Sequence, residues 1–211
     1  MNKNEKFIIT INRELGSGGR TVGRILADKL GVPYYDKALI QVLEQKYNLS
    51  VEEIEHLKAQ SNSWWADFKR KMGFEKVIKA YVVEDGKEPE LLTSEMIYKA
   101  EKEILLSIAH DESCVIAGRS GFSILKKEPN HLSILIQASM EHRIARVMSK
   151  QQGKTEEEAK KTIEEVDKMR EEYIGNFADT SRYDTRNYDL VIKMDGKTEE
   201  EVVDLILKYI G

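Results

Sequence analysis

The sequence predicts a three-layer α/β protein with a central parallel sheet. Three observations carry that prediction. Short apolar, β-branched runs alternate along the chain with amphipathic helical stretches, the pattern of parallel strands joined by crossover helices. A glycine-rich turn separates the first such strand from the first helix, in FIITINRELGSGGRTVGRILADKLG over residues 7–31. The chain has 211 residues, 41% hydrophobic and 33% charged, which suits one fully cored globular unit and is too apolar for disorder.

The elements follow in order. Residues 6–11 form the first strand. The helix opening at Thr21 carries Val22, Ile25, Leu26 and Leu30 on its apolar face, and Gly31 ends it. Residues 32–35 form a short extended piece, since Pro33 turns Val32 away from helix. Asp36 reads as the N-cap of a helix to about Tyr47. Helical signals recur at Ser50–Leu57, where serine is followed three residues on by glutamate, at Ser61–Met72 and at Glu90–His110. Residues 113–117 and 132–137 read as buried strands. Residues 140–151 and 155–173 read as helices, the second highly charged. Residues 189–193 make a last strand and 198–210 a closing helix. There is no internal repeat and no Pro/Gly-rich linker, and only three prolines, so the expectation is a single domain over 1–211. Within it, about 48–110 reads as a helical insertion over the substrate side.

The order strand, glycine loop, helix makes a pocket for phosphate. Gly16, Gly18 and Gly19 let backbone N–H groups approach an anion closely. The helix that follows presents unpaired donors and a partial positive charge at its N-terminus. Gly16, Ser17, Gly18, Gly19, Arg20 and Thr21 are therefore the candidate phosphate cradle. The match to the usual pattern G-x-x-x-x-G-K-[ST] is shifted. With Gly18 as the second glycine, Arg13 stands where the first belongs, Gly19 at the lysine and Arg20 at the hydroxyl position, with Thr21 one residue later. The competing reading is a glycine-rich turn that holds no ligand.

Charge and composition narrow the partners. The net charge of −4 argues against broad nucleic-acid binding. The single cysteine, Cys114, cannot make an intrachain disulfide and reads as a small buried hydrophobe. The first apolar run stops at Asn12-Arg13-Glu14, too early for a signal peptide, and no segment is long enough to span a bilayer. The expectation is a cytoplasmic enzyme for a small molecule, without nucleic-acid or membrane partners. The four histidines show no metal-ligand spacing. Trp64 and Trp65 read as core or interface packing rather than base stacking, which leaves a homodimer open.

RELGSGGRTVGRILADKLGVPYYDKALI resembles the opening of the cytidylate kinase-like family, a branch of the P-loop nucleoside monophosphate kinases in which a GSGG loop lacks the usual lysine. The resemblance resumes at VIAGRSG (115–121), LSILIQASMEHRIARV (132–147) and DKMREEY (167–173), and ends at NYDLVIKMDG (187–196). It implies a P-loop kinase-like fold with a lid at about 150–187. It also implies transfer of the ATP γ-phosphoryl group, with Mg²⁺, to a small acceptor, CMP or dCMP first. A nucleotide-binding regulator without catalysis and a kinase for another small acceptor are the alternatives.

In open parallel sheets ligands sit at the carboxyl ends of the strands. That rule and the resemblance together select the remaining site residues. By resemblance Asp36 lies near the acceptor nucleotide, with a plain helix cap as its alternative. Arg119, in Gly118-Arg119-Ser120-Gly121, presents a planar fork suited to the acceptor phosphate. Arg143 and Arg146 fall three apart on one helix, and Arg170 lies on the next. The resemblance implies lid arginines that neutralise charge during transfer, so Arg143, Arg146 and Arg170 join Arg20 as candidate catalytic residues. Arg20 is the candidate replacement for the missing lysine and Thr21 the candidate Mg²⁺ ligand. Arg182 matches no firm family position.

Overall fold

A computed structural model of the chain describes residues 1–36, 94–118, 120–151 and 153–211. Its centre is a sheet of five parallel strands: β1 (Ile8–Arg13), β2 (Tyr34–Tyr35), β3 (Cys114–Ala117), β4 (His131–Gln137) and β5 (Leu190–Lys193), in the order β2-β3-β1-β4-β5. All five correspond to strands expected from the sequence. The register sets Ile9 beside Val115 on one side and Leu132 on the other. Around the sheet lie α1 (Gly19–Leu30), α2 (Ser94–Asp111), α3 (Gly121–Ile124), α4 (Met140–Lys150), α5 (Glu156–Ala178) and α6 (Glu199–Ile210).

Alternation along β1 builds the three layers. Ile9 and Ile11 face one side, where Val22 and Leu26 of α1 and Val202, Val203 and Ile206 of α6 close over them. Ile8 faces the other, against Leu105 and Ala109 of α2 and Leu125. Every one of these side chains is essentially inaccessible to solvent, so truncating one of the leucines or isoleucines to alanine costs about 2–5 kcal/mol. A third cluster holds α4 to α5 through Ile144, Val147, Ala159 and Ile163, with Leu15 of the glycine loop packed on it. The loop is thus fastened to the α4–α5 pair as well as to the sheet.

Local chemistry fixes the helix ends. Thr155 and Thr198 each accept from the backbone N–H three residues on, while Glu158 and Glu201 reach back to the threonine N–H. These are capping boxes that satisfy two otherwise orphaned donors apiece. The sequence places the end of α5 at Tyr173. The helix instead continues to Ala178, because Ile174 is buried and Phe177 stacks on Tyr98 with ring centroids 5.1 Å apart. Asp179, in the left-handed region at φ 48°, ends it. Beyond its expected cap Asp36, the expected helix to about 47 lies outside the described residues, as do those at 50–57 and 61–72 and Trp64 and Trp65. Of the expected helix from Glu90, the described part begins at Ser94.

Candidate active site

The loop from Glu14 to Gly18 joins the carboxyl end of β1 to the amino end of α1. Gly16 and Gly18 take left-handed backbone conformations at φ 82° and 84°, which favour glycine. A Cβ on Gly16 would stand 2.7 Å from the Arg143 carbonyl oxygen, so no side chain fits there. Within the loop, the Ser17 amide and hydroxyl both donate to the Glu14 carbonyl, and the amides of Thr21 and Val22 donate to the Gly18 carbonyl. The amides of Gly16, Gly18, Gly19 and Arg20 meet no acceptor among the described residues. They form a row of donors at the start of a twelve-residue helix, which is the physical requirement for holding phosphate oxygens.

This row opens onto a cavity of about 680 Å³, within the usual range for small-molecule sites. Gly16, Gly18, Gly19, Arg20, Thr21, Asp36, Arg146 and Arg170 all line it, so the structure brings most of the expected site residues together. Arg13, Glu14, Ser120 and Arg182 line it as well. Ser17 and Arg143 are not part of the wall. Arg119 lies outside the described residues.

Three carboxylates organise the arginines. Asp36 follows β2, is 4% exposed, and receives both Arg13, at 3.4 Å, and the Nε of Arg20. The hydrogen bond to Asp36 pushes the Arg20 pKa further above the ordinary arginine value. Asp167, on α5, accepts from Arg143, lies 3.4 Å from Arg170 and 3.5 Å from Nη1 of Arg182, and also accepts from the Leu15 amide at 3.1 Å. Glu199 holds Arg146 at 2.5 Å, and the same Nη2 donates to the Thr21 hydroxyl at 3.1 Å.

Arg143 and Arg146, expected on one helix face, part company. Arg143 is buried beneath the loop, donating to the Leu15 carbonyl at 2.8 Å and to Asp167, with Glu14 at 3.6 Å. It braces the cradle from below. Arg146 lies above, its guanidinium carbon 3.4 Å from where a Gly18 Cβ would be. Arg182, which fits no firm family position, is 1% exposed and donates to the Arg13 carbonyl and to Asn12. Its carbonyl accepts from the Tyr188 hydroxyl at 2.6 Å. Burial pushes that phenol up to about 12. Asp167 and Glu14 were not singled out from the sequence, whereas Arg13 was read there as standing in place of the pattern's first glycine. The one signal available was the three-residue spacing of Asp167 and Arg170 on a helix.

With this geometry in place, comparison with known proteins defines the class. The sheet and its helices have the P-loop kinase-type fold. The model of the cytidylate kinase-like family matches residues 8–196, and the chain belongs to that family. Among solved structures, an uncharacterized protein from Eubacterium ventriosum ATCC 27560 is 25% identical, with a TM-score of 0.67 over 97% of this chain and 98% of that one. A shikimate kinase from Bacteroides thetaiotaomicron is similar at 16% identity and a TM-score of 0.56, over 97% of this chain and 98% of that one. A shikimate kinase from Acinetobacter baumannii in complex with shikimate is similar at 14% identity and a TM-score of 0.52, over 97% of this chain and 93% of that one. At those identities the two kinases speak for the fold alone. Comparison with curated proteins gave no match. Among the described residues, no helix is long and apolar enough to cross a membrane.

Proposed function

We propose that the protein is an ATP-dependent phosphotransferase that phosphorylates a nucleoside monophosphate, CMP or dCMP first. The observation that carries the reading is the set of amides at Gly16, Gly18, Gly19 and Arg20 that meet no acceptor among the described residues, opening on a cavity walled by arginines. Phosphoryl transfer relies on positioning and charge neutralisation, and both are supplied by such a wall. The glycine loop holds the donor phosphates. Arg146, beside Gly18 and Thr21, and Arg170, on the facing helix, flank them and neutralise charge as the lid over 150–187 closes. Arg143 positions the loop from beneath. Asp36 and Arg119 keep the acceptor-side roles that the family resemblance implies, and Asp36 does so while orienting Arg13 and Arg20.

Mg²⁺ supplies charge neutralisation between donor phosphates in this chemistry. The described residues contain no group of three or more His, Cys, Asp or Glu able to hold a metal. The Thr21 hydroxyl is engaged by Arg146. Thr21, Glu14 and Asp36 of the cavity wall are the oxygen-bearing residues that would hold the ion beside the phosphates, together with water.

The test is an ADP-release assay with Mg·ATP across nucleoside monophosphates and other small hydroxylated acceptors, with thermal shifts alongside. The expected result is turnover with CMP or dCMP and stabilisation by CMP beyond that given by an ATP analogue, since a ligand of the folded state raises stability. Binding of ATP without ADP formation from any acceptor would favour a nucleotide-binding regulator. No stabilisation by millimolar ATP or ADP would remove the reading.

A further inference from the structure

We infer that Arg13 is the phosphate-facing cation of this site, moved from the usual lysine position by a reciprocal exchange with Gly19. The inference rests on the kinase reading above. In the pattern G-x-x-x-x-G-K-[ST], the first position is glycine and the seventh is lysine. Here the first is Arg13 and the seventh is Gly19. The structure shows that the two changes belong together. A Cβ built on Gly19 would stand 2.7 Å from the Cβ and 3.3 Å from the Cγ of Arg13. A lysine at 19 beside an arginine at 13 therefore forces the backbone or the Arg13 stem to shift, because the clash falls on the rigid root of Arg13 and not on its movable end. The stem of Arg13 occupies the space in which a lysine stem at 19 would begin.

The far end of Arg13 has its own place. Its Nη1 lies 1.8 Å from where a Cβ on Gly118 would be. Gly118 sits at φ 78° just beyond β3 and is tied to β1 by its amide, which donates to the Ile11 carbonyl at 2.9 Å. The side chain thus runs from the base of the loop, across Gly19, to the carboxyl end of β3. Arg13, Gly19 and Gly118 all line the cavity. Asp36 fixes the guanidinium at 3.4 Å, and Arg182 and Arg170 donate to the Arg13 carbonyl. This puts a fixed planar cation between the donor loop and the acceptor side, where it can bond phosphate oxygens with two parallel N–H groups. Arg20 is placed differently. Its side chain is 65% exposed and its Nε is turned to Asp36.

The exchange predicts a specific rescue. Gly19 has no positive φ, so its backbone admits a side chain once Arg13 is gone, with Ile136 at 3.3 Å as the tightest remaining neighbour. Binding of Mg·ATP and Mg·ADP is measured by calorimetry on the full chain, with unliganded melts of each variant. R13A and the uncharged, polar R13Q are expected to weaken ATP by about tenfold or more. G19K alone weakens it as much, through the clash. The double variant R13G/G19K returns to within about threefold of the wild-type affinity, while R13G alone does not. Wild-type affinity in a folded R13A or R13Q overturns the proposal, and so does a double variant no better than R13G. Failure of the wild type to bind either nucleotide overturns the kinase reading, and the proposal with it.

Discussion

Removing the Asp167 carboxylate should unfold a marginal version of this protein, and the structure gives the scale. Asp167 is 7% exposed. It is the shared partner of Arg143, Arg170 and Arg182, of which Arg143 is 6% and Arg182 1% exposed. In Asp167→Ala both guanidinium groups keep their burial, Arg182 loses the carboxylate 3.5 Å from it, and Arg143 is left with Glu14 at 3.6 Å. Breaking a buried pair in this way costs about 3–5 kcal/mol, because a charge is left without compensation. The Leu15 amide also loses its acceptor, worth about 1 kcal/mol. For a chain of this size each kcal/mol lowers Tm by about 2–4 °C, so a fall of about 10 °C or more is expected. Urea unfolding at neutral pH measures it, with an unchanged m-value showing that stability alone has moved. Asp167→Asn separates the two contributions, since the amide can still accept from Leu15 while the charge is gone. It should recover no more than about 1 kcal/mol of the loss. A loss below about 1 kcal/mol in Asp167→Ala would show that the arginines find other partners or water, and would refute the hub as described.

Gly16→Ala places a Cβ 2.7 Å from the Arg143 carbonyl on a backbone at φ 82°. A loss of about 2 kcal/mol or more is expected by thermal unfolding, together with loss of the ATP-dependent shift, and an unchanged Tm would refute the close approach. His131 is bonded to the Thr10 hydroxyl at 2.7 Å, and burial lowers its pKa to about 4. Above pH 6.5 it is neutral in both folded and unfolded chains and its contribution is complete. Between pH 6.5 and about 4 only the unfolded chain gains the proton, so stability falls by roughly 1.4 kcal/mol per pH unit, about 3 kcal/mol in all. His131→Gln should flatten that slope in urea unfolding between pH 4.5 and 7.5, and equal slopes in wild type and variant would refute it.

The strands and the glycine loop were legible because their signals are local. Ile8, Ile9, Thr10 and Ile11 form one unbroken buried run, and Gly16 and Gly18 are glycines for a backbone reason that the sequence announces. What was hidden depends on partners distant in the chain. A four-residue helix such as α3 has no room for a period. The extension of α5 past Tyr173 rests on Phe177 meeting Tyr98, nearly eighty residues away. The difference between Arg143 and Arg146 is of the same kind. Three residues apart on a helix they differ by only a fraction of a turn, and the pattern gives no cause to separate them. Leu15, Glu14 and Asp167 converge on one and Glu199 on the other, and that assignment exists only once β1, α5 and α6 have met.

Burial then ranks these arginines by what they can do. A phosphate entering the cavity has to compete with the carboxylates already holding the cations. Arg143 and Arg182 cannot leave Asp167 without stranding charge in a dry interior, so exchange there costs several kcal/mol and they stay as scaffold. The Arg146–Glu199 pair is different, with side chains 21% and 22% exposed. Water reaches both ends, so Glu199 can be rehydrated as Arg146 turns to an incoming phosphate beside Gly18. Arg13 is intermediate at 17% exposed, and it shares Asp36 with Arg20. When Arg13 bonds a phosphate, Arg20 remains to hold the buried Asp36 carboxylate. On the inference drawn above, the two arginines on one acid are complementary: Arg20 keeps the acid neutralised when Arg13 meets the phosphate.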